Sequence, residues 1–284
     1  MGATLYGYAI DSDVPLPRAR TGPATRGTLR VRSTEEPLLD RRGSLVRYDA
    51  DIWALARTED GILVWCPGTG SYHAHVDSGL IEVHPEERHE GMLEHRMACL
   101  VMPLLLAERG DLALHAAVLA RDGEAVVFCG PSMRGKSTLA AELAARGYDL
   151  LGDDSAVLTL DGADGMLVWP GPAGSRLRPP GEVPLRRLVH ADDGLERTQP
   201  VRLVAAVELG ERRGDGVVVE RLDPVAAAIH LYGYAPQADG PAIARTFGLI
   251  ARLVERVPVF RAHMPDDLAR AGEHAEAIFR AAAT

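Results

Sequence analysis

The octapeptide Gly130–Ser137, with the sequence G-P-S-M-R-G-K-S, matches the phosphate-binding pattern G-x-x-x-x-G-K-[ST] at each fixed position. The apolar run Glu124–Cys129 predicts a buried strand, and the run Lys136–Arg146 predicts a helix that begins at the lysine. A loop between such elements directs several backbone N–H groups toward one point, where the helix N-terminus adds partial positive charge. We therefore expect Lys136 to contact the β- and γ-phosphates of a nucleotide and the Ser137 hydroxyl to help hold Mg²⁺.

Lys136 is also the only lysine of the chain. Arginine serves as the cation everywhere else in this sequence, so a lysine at this one position favours phosphate binding. The alternative is a glycine-containing turn without a ligand.

A pair of aspartates, Asp153 and Asp154, follows the short extended segment Tyr148–Leu151 just after the predicted helix. Adjacent carboxylates at a strand end point in different directions, so one can hold Mg²⁺, directly or through water, and the other can accept a proton from an alcohol nucleophile. A turn or helix-capping pair is the alternative, as expected for Asp192-Asp193 and Asp266-Asp267. The position directly after the loop and helix favours a functional role for Asp153 and Asp154.

His115 lies in the apolar segment Leu112–Val118, which predicts a strand next to the strand of the phosphate loop. A histidine in such a strand is more often a hydrogen-bonded core residue than a catalyst. The residue alone therefore leaves both roles open.

Other histidines give weaker signals. His73 and His75 place two imidazoles on one face of a predicted strand, which is two-thirds of a zinc site at best. His89 and His95 lie on one predicted helix, but their spacing does not fit the metalloprotease pattern. We interpret all four as structural or solvent-facing.

The composition excludes several classes of protein. The chain has 284 residues, of which 46% are hydrophobic and 25% charged, as in a globular protein of one large or two modest domains. Its net charge of −9 argues against a general nucleic-acid or anionic-membrane binder. The three scattered cysteines, the lack of a signal-peptide pattern and a longest apolar run of only Met97–Ala107 predict a reduced, cytoplasmic protein without a membrane partner.

Two regions differ in their predicted elements, and we place a domain boundary between residues 109 and 110. Residues 1–109 are β-rich and end in a long helix, Glu86–Glu108, that bends near Pro103. The strands predicted there are Leu5–Ile10, Leu29–Arg32, Ile52–Arg57, Ile62–Cys66, Tyr72–Val76 and Leu80–Val83.

Residues 110–284 alternate strands and helices, which is typical of an α/β fold. The predicted strands are Ala113–Ala120, Glu124–Cys129, Ala156–Leu160, Met166–Trp169, Leu203–Leu209 and Val217–Arg221. The predicted helices are Lys136–Arg146, Pro224–Leu231, Ala242–Arg256 and Asp266–Ala283. The Pro- and Gly-rich segment Pro170–Gly181, which contains Arg176, is either a mobile active-site flap or a plain connection.

Three segments in this order resemble the HPr kinase/phosphorylase family, specifically its shorter kinase-domain relatives. They are Leu114–Ala117, Phe128–Ala140 and Arg146–Asp154, and they lie within a stretch of about forty residues. Weaker likeness extends over Tyr6–Ser12 and Trp169–Leu177, which look like segments of the serine-kinase-like proteins of peptide natural-product clusters. Some of those kinases phosphorylate a serine of a lasso-peptide precursor.

The resemblance implies an α/β, HPr-kinase-like P-loop core with a mixed sheet, joined to the β-rich N-terminal domain. It implies Asp153 as the base, His115 in a supporting catalytic role and Arg176 in charge stabilisation or acceptor binding. It places the metal on Ser137 and Asp154. The nucleotide-binding residues would be Gly130, Ser132, Arg134, Gly135, Lys136, Ser137 and Thr138.

Two departures from the family pattern are visible. Met133 and Arg134 stand where the family loop carries smaller residues, although Arg134 can instead contact a phosphate oxygen. The chain also lacks the downstream glycine-containing segment that true HPr kinases use for acceptor docking and phosphorolysis. We therefore expect neither HPr itself as the acceptor nor the reverse reaction.

The sequence thus predicts an ATP-dependent, Mg²⁺-requiring kinase that acts on a Ser or Thr hydroxyl of a peptide or small protein, with a lasso-peptide precursor as one such acceptor. A small-metabolite kinase and a non-catalytic, nucleotide-gated regulatory protein are the alternatives. Assembly into a homo-oligomer is left open.

Overall fold

The computed structural model describes residues 2–38, 44–49, 53–86, 92–132, 134–162, 165–177, 187–189, 197–236 and 240–283. Within these ranges the chain forms two nine-stranded sheets and a two-stranded ribbon. Both large sheets contain parallel and antiparallel pairs. The prediction of an α/β protein with a mixed sheet is therefore confirmed.

The first sheet belongs to the N-terminal part of the chain. Its strands are β1 (Gly2–Leu5), β2 (Tyr8–Ser12), β3 (Arg20–Gly22), β4 (Thr28–Ser33), β5 (Ser44–Asp49), β6 (Trp53–Arg57), β7 (Gly61–Cys66), β8 (Gly70–His75) and β9 (Leu80–Pro85). Their order across the sheet is β3-β1-β2-β4-β9-β8-β7-β6-β5. β4 is parallel to both β2 and β9, so it joins the N-terminal hairpin to the meander β5–β9.

The predicted single strand Leu5–Ile10 is wrong, because a two-residue turn divides it into β1 and β2. Tyr6 and Gly7 have φ values of 52° and 80°. Positive φ at both central residues is the signature of a type I′ hairpin turn, whose twist matches that of the flanking strands. The apolar character of Tyr6 concealed this turn in the sequence.

A helical run packs on one face of this sheet. It consists of α1 (Met92–Arg96), a π-helical turn (Met97–Val101) and α2 (Met102–Glu108). The Met102 N–H donates to the Met97 carbonyl, five residues back. This turn lies directly before Pro103, which cannot donate a helical hydrogen bond, so the predicted irregularity falls one turn earlier than expected. The beginning of the predicted helix, residues 87–91, lies outside the described residues.

The second sheet contains the elements of the candidate phosphate loop. Its strands are β10 (Leu112–Leu114), β11 (Ala116–Arg121), β12 (Glu124–Cys129), β13 (Asp149–Gly152), β14 (Ala156–Asp161), β15 (Gly165–Trp169), β18 (Val201–Leu209), β19 (Val218–Arg221) and β20 (Val259–His263). The ribbon consists of β16 (Ser175–Leu177) and β17 (Arg187–Val189).

The order of the second sheet is β10-β14-β15-β18-β12-β11-β13, with β20 beside β18 and β19 beside β20. β12, β18 and β20 are parallel neighbours, so their carboxyl ends meet at one edge. Ligands of open α/β sheets bind in the crevice at such an edge.

Helices cover both faces of the second sheet. They are α3 (Lys136–Ala144), α4 (Pro224–Tyr232), α5 (Gly240–Arg256) and α6 (Ala271–Ala283). Phe128 of β12 packs with Leu139 of α3 and Ile278 of α6 on one face. Val127 packs with Ile250 of α5 on the other face. Burial on both faces explains why the β12 sequence is continuously apolar.

Two further predictions of this region need correction. The predicted strand Ala113–Ala120 is interrupted at His115, because β10 pairs with β14 whereas β11 pairs with β12 and β13. The helix predicted from Asp266 begins later, as α6 at Ala271, after a 3₁₀ turn at Leu268–Arg270. The strand β20 was not predicted.

The two regions share a hydrophobic core. Val157 of β14 and Trp169 of β15 belong to the same buried cluster as Leu29 of the first sheet and Met97 of the π turn. The domain boundary at residue 109 stays a prediction. Among the described residues, none of the helices has both the length and the apolarity needed to cross a bilayer.

Candidate active site

The segment between β12 and α3 has the backbone of a tight, glycine-dependent loop. Gly135 has a φ of 95°, in the left-handed region, and a Cβ there would lie 2.9 Å from Arg212 Nη2. Gly130 has a φ of 150°, and a Cβ there would lie 3.1 Å from the Leu209 carbonyl. Backbone conformation thus requires glycine at both positions, and close packing against β18 adds to the requirement at Gly130.

Lys136 begins α3, and its side chain turns back over the loop. Its Nζ donates to the carbonyl of Gly130 at 2.7 Å and to the carbonyl of Pro131 at 3.3 Å. The residue is 6% exposed, so its ammonium group is almost withdrawn from solvent. These contacts fix a positive charge beside the first turn of a nine-residue helix, where the helix dipole also favours an anion.

Asp153 lies at the end of β13 and faces this loop. Its Oδ1 accepts a hydrogen bond from Ser137 Oγ at 3.3 Å. Asp153 is 4% exposed, and its backbone carbonyl accepts a weak hydrogen bond from Cys99 of the π turn at 3.8 Å. The fold therefore brings together two oxygen groups that were predicted to act at one site.

Asp154 has a different set of contacts. Its Oδ2 lies 3.2 Å from His95 Nε2 on α1. Its φ of 72° is unusual for a residue other than glycine, and such strained backbone is concentrated at functional sites. Burial lowers the pKa of His95, but the adjacent Cys99 thiol and the Asp154 carboxylate outweigh burial, so the pKa of His95 is raised to about 9. The Asp154 carboxylate is thus oriented by the Nε2–H of an imidazole from the N-terminal region, and the Arg18 guanidinium lies 3.2 Å from the other ring nitrogen, Nδ1.

His115 lies at the break between β10 and β11 and is exposed. Its N–H donates to the Tyr234 carbonyl at 2.7 Å. Its Nδ1 lies 3.0 Å from the Asp154 carbonyl oxygen, and that contact requires the proton on Nδ1. The chain changes its pairing partners at His115, and this break places the imidazole next to Asp154.

The remaining residues of the loop are more accessible. Ser132 is exposed, and Met133 lies outside the described residues. Arg134 Nη2 lies 3.5 Å from Glu211 Oε1, and both side chains are well exposed. Thr138 is half-buried in the first turn of α3. These placements leave the predicted phosphate contacts of Ser132, Arg134 and Thr138 as predictions.

Arg176 lies on β16, which packs against α3, and its backbone pairs with Leu188 of β17. Its side chain lies outside the described part of the chain. The segment Pro170–Gly181 therefore includes a short strand, and its role as a flap stays a prediction.

A cleft of about 360 Å³ opens beside the loop at the ends of β18 and β20. Its charged lining residues are Arg134, Glu208, Glu211, Arg213, Glu220 and Arg261, and His263 also lines it. Burial raises the pKa of Glu208, but hydrogen bonds from Tyr234 and Arg261 outweigh burial and lower it. Glu208 therefore stays ionised and holds Arg261 in the cleft wall.

The loop that follows β18 contributes residues that were not predicted from the sequence. Arg212 lies against Gly135 and donates from Nη1 to Asp266 at 2.7 Å, and Arg213 lines the cleft. Residues 203–209 were predicted as a strand. β18 is parallel to β12, so the residues that follow both strands lie at the same edge of the sheet. Had this pairing been recognised in the sequence, it would have pointed to Arg212 and Arg213.

The family model described as SynChlorMet cassette protein ScmC matches residues 80–239, which is more than half of the chain. The chain belongs to the ScmC family. The matched segment contains the loop, the acidic pair, His115 and Arg176. All predicted site residues of this ScmC-family protein therefore lie within the part that the family shares.

Among solved structures, the ScmC-family chain is similar to the Hpr(Ser) kinase/phosphatase from Coxiella burnetii, with 14% identity and a TM-score of 0.36. That match covers 60% of this chain and 94% of the other chain. No curated protein matches the sequence.

Proposed function

We propose that the chain is an ATP-dependent phosphotransferase with an HPr-kinase-like core, which moves the γ-phosphoryl group to a Ser or Thr hydroxyl of a peptide or small protein. The observation that carries this proposal is the 3.3 Å contact between Ser137 Oγ and Asp153 Oδ1 in the first turn of α3, the helix that Lys136 begins. Simple anion binding at a helix N-terminus needs no carboxylate nearby. A carboxylate next to the anion site is instead expected where a metal ion binds to both the carboxylate and a phosphate group.

The donor set fits Mg²⁺, since Ser137 and Asp153 offer oxygen atoms, which this cation prefers. When bound, the cation would neutralise charge on the phosphate oxygens during transfer. Lys136 and the N–H groups of the loop would hold the same phosphates from the other side.

The geometry favours a division of roles that differs from the one drawn from the resemblance. Asp153 contacts Ser137, so we assign Asp153 to the cation. Asp154, oriented by His95, is then the residue that accepts the hydroxyl proton. His115 holds the Asp154 carbonyl, and Arg176 keeps its proposed role in charge stabilisation.

The open cleft favours a peptide acceptor over a small metabolite. Glu211 at its rim has a side chain that is 73% exposed, so the cleft does not enclose a small ligand there. A lasso-peptide precursor is the acceptor that the sequence resemblance favours. A cytoplasmic location and an acceptor that is neither nucleic acid nor membrane complete the proposal.

The proposal can be tested by incubating tag-free protein with ATP, Mg²⁺ and Ser- or Thr-containing peptides, including any small peptide encoded beside the gene. Transfer adds the mass of one phosphate group to a peptide hydroxyl. In Lys136→Ala we expect ATP binding to weaken and the rate of transfer to fall by about 100-fold or more, as for other charge-stabilising donors.

Arg121→Ala is the matched control, because Arg121 is exposed at the far end of β11. Its binding and transfer should match those of the wild type. Tight ATP binding without transfer to any peptide or metabolite would instead support the nucleotide-gated regulatory alternative. Transfer to free amino acids or sugars alone would support the metabolite kinase.

A further inference from the structure

A second group of chemically capable side chains lies on the first sheet, far from the loop in sequence. It consists of Asp60, His73 and His75, which we call the β8 histidine cluster. One ligand atom of each residue lies within 4.8 Å of the others. All three residues precede the segment that matches the family model, residues 80–239, so the cluster lies outside the part that the family shares.

Strand geometry explains how the cluster forms. His73 and His75 alternate along β8 with Tyr72 and Ala74, whose side chains are completely buried in the core against the helical run. The two imidazoles therefore lie on the opposite face of the sheet. Their ring centroids are 4.1 Å apart. This arrangement presents two nitrogen ligands side by side.

The turn between β6 and β7 supplies the carboxylate. Asp60 Oδ1 lies 3.1 Å from His73 Nε2, and Asp60 Oδ2 lies 2.7 Å from His75 Nδ1. Ligand atoms that share one Zn²⁺ ion at about 2.0–2.2 Å must lie roughly 3–3.5 Å apart. The two Asp60–imidazole separations are near or just below those values, and all the ligand atoms lie within 4.8 Å of one another, so the side chains must rotate to admit an ion.

A second carboxylate, that of Glu82, contacts the imidazoles from the neighbouring strand β9. Glu82 of β9 lies directly opposite His73 in the sheet register. Its Oε2 is 2.8 Å from His75 Nε2 and 3.7 Å from His73 Nδ1. Histidines that bind a metal usually donate their other ring N–H to a carboxylate, which fixes the ring and raises its basicity. Glu82 is placed to do this for His75.

The turn itself is held in position before any ion binds. Thr58 Oγ1 donates to Asp60 Oδ1 at 2.9 Å, and the Val76 N–H donates to the Asp60 carbonyl at 3.0 Å. A Cβ at Gly61 would lie 2.0 Å from the Ala74 carbonyl, so only glycine lets the turn lie this close to β8. The backbone of the turn is therefore pre-organised, whereas His73 Nε2, which lies 3.0 Å from Thr58 Oγ1, must exchange that contact for the ion.

We propose that the β8 histidine cluster binds a divalent transition-metal ion, with Zn²⁺ as the best match. Asp60, His73 Nε2 and His75 Nδ1 are the protein ligands, and water takes the fourth position. Imidazole and carboxylate ligands suit Zn²⁺ in this geometry, whereas Mg²⁺ prefers oxygen alone. Bound at this point, the ion links the β6–β7 turn to β8 and stabilises the outer part of the first sheet.

The test uses full-length, tag-free protein that has been stripped with a chelator and dialysed. Zn²⁺ binding is followed by calorimetry, and Co²⁺ is used as a visible-absorption probe of tetrahedral nitrogen–oxygen coordination. We expect one ion per chain and a rise in Tm of about 5 °C or more at saturating Zn²⁺. Mg²⁺ at millimolar concentration should not compete.

Three variants locate the site. Glu82 does not bind the ion but hydrogen-bonds one of its ligands, so Glu82→Gln should weaken Zn²⁺ binding by about 10- to 100-fold. Asp60→Asn and His75→Gln remove ligands of the ion and should weaken binding by more than that. His84→Gln is the matched control, since His84 lies on β9 and contacts the Thr34 carbonyl outside the cluster. Circular dichroism without metal checks that each variant is folded.

The proposal would be overturned if the wild-type chain bound no Zn²⁺ in the titration. It would also be overturned if Asp60→Asn and His75→Gln bound Zn²⁺ as the wild type does. Equal loss in His84→Gln would overturn it as well, because binding would then be spread over surface histidines. A failure of phosphoryl transfer has no bearing on these measurements.

Discussion

At the scale of single residues, the two adjacent aspartates differ in what their carboxylates contact. Asp153 meets the Ser137 hydroxyl, and Asp154 meets the His95 imidazole. The sequence predicted that both would lie near the loop, because they follow its helix. It did not predict which way each would point, because the partner His95 comes from a helix almost sixty residues earlier and only the fold brings it there.

Substitution of the two aspartates should therefore impair phosphoryl transfer in different ways. In Asp153→Asn we expect the Mg²⁺ concentration for half-maximal transfer to rise by at least about 10-fold, because a charged ligand of the cation is lost. In Asp154→Asn we expect that concentration to stay constant while the transfer rate falls by about 10²- to 10⁴-fold, as for a lost general base. Initial rates of transfer across a Mg²⁺ titration distinguish the two.

The opposite result would restore the division of roles drawn from the resemblance. An Asp153→Asn chain that binds Mg²⁺ and ATP as the wild type does, yet transfers no phosphate, would make Asp153 the base. Asp161→Asn is a matched control, because Asp161 is exposed at the far end of β14. Its Mg²⁺ dependence should not change.

At the scale of elements, hydrophobic periodicity predicted most strands and helices of the second region within a few residues. It failed at His115 and at Tyr6 for a shared reason. Both lie in runs that look like one strand, but the segments on either side pair with different partners or fold back on each other. Periodicity reports which residues are apolar; it does not report where pairing changes.

The contact between α1 and the acidic segment should make stability depend on pH. The pKa of His95 is raised from 6.5 to about 9 in the folded chain, so the protonated imidazole stabilises the fold. That stabilisation is fully present below pH 6.5 and is lost as the pH rises through about 9. Chemical denaturation with a chelator present should show a loss on the order of 2 kcal/mol over this interval.

His95→Gln removes the titrating group and should flatten the free energy of unfolding over the same interval. His84→Gln is the control, and it should keep the wild-type decline because His84 does not contact the acidic segment. A wild-type protein whose stability stays constant from pH 6.5 to 9 would show that the imidazole is neutral in the fold. Transfer by His95→Gln should also fall, because Asp154 loses the group that orients it.

At the scale of the whole molecule, the first sheet holds the backbone of the candidate site. Arg20 of β3 is 1% exposed and donates to the carbonyls of Leu150, Leu151 and Gly171 at 2.7–3.1 Å. The Tyr6 hydroxyl lies 2.6 Å from Ser155 Oγ. These contacts lie on both sides of the acidic pair. The sequence could not predict them, because β3 is three residues long and its buried arginine resembles any surface arginine.

If the first sheet positions the acidic segment, then Arg20→Met should impair both stability and transfer. Three buried carbonyls each lose a charged donor, so we expect a loss of about 2–4 kcal/mol in the free energy of unfolding. Arg32→Met is the matched control: Arg32 lies on the same sheet and pairs with Asp11 at the surface, so its loss should leave the free energy of unfolding nearly unchanged. Transfer must be measured well below the Tm of each variant, so that the whole population is folded. Arg20 does not contact the substrate, so it can change the rate of transfer only through the position of the acidic pair. A folded Arg20→Met chain with wild-type turnover would therefore mean that the first sheet does not position that pair and is an independent module.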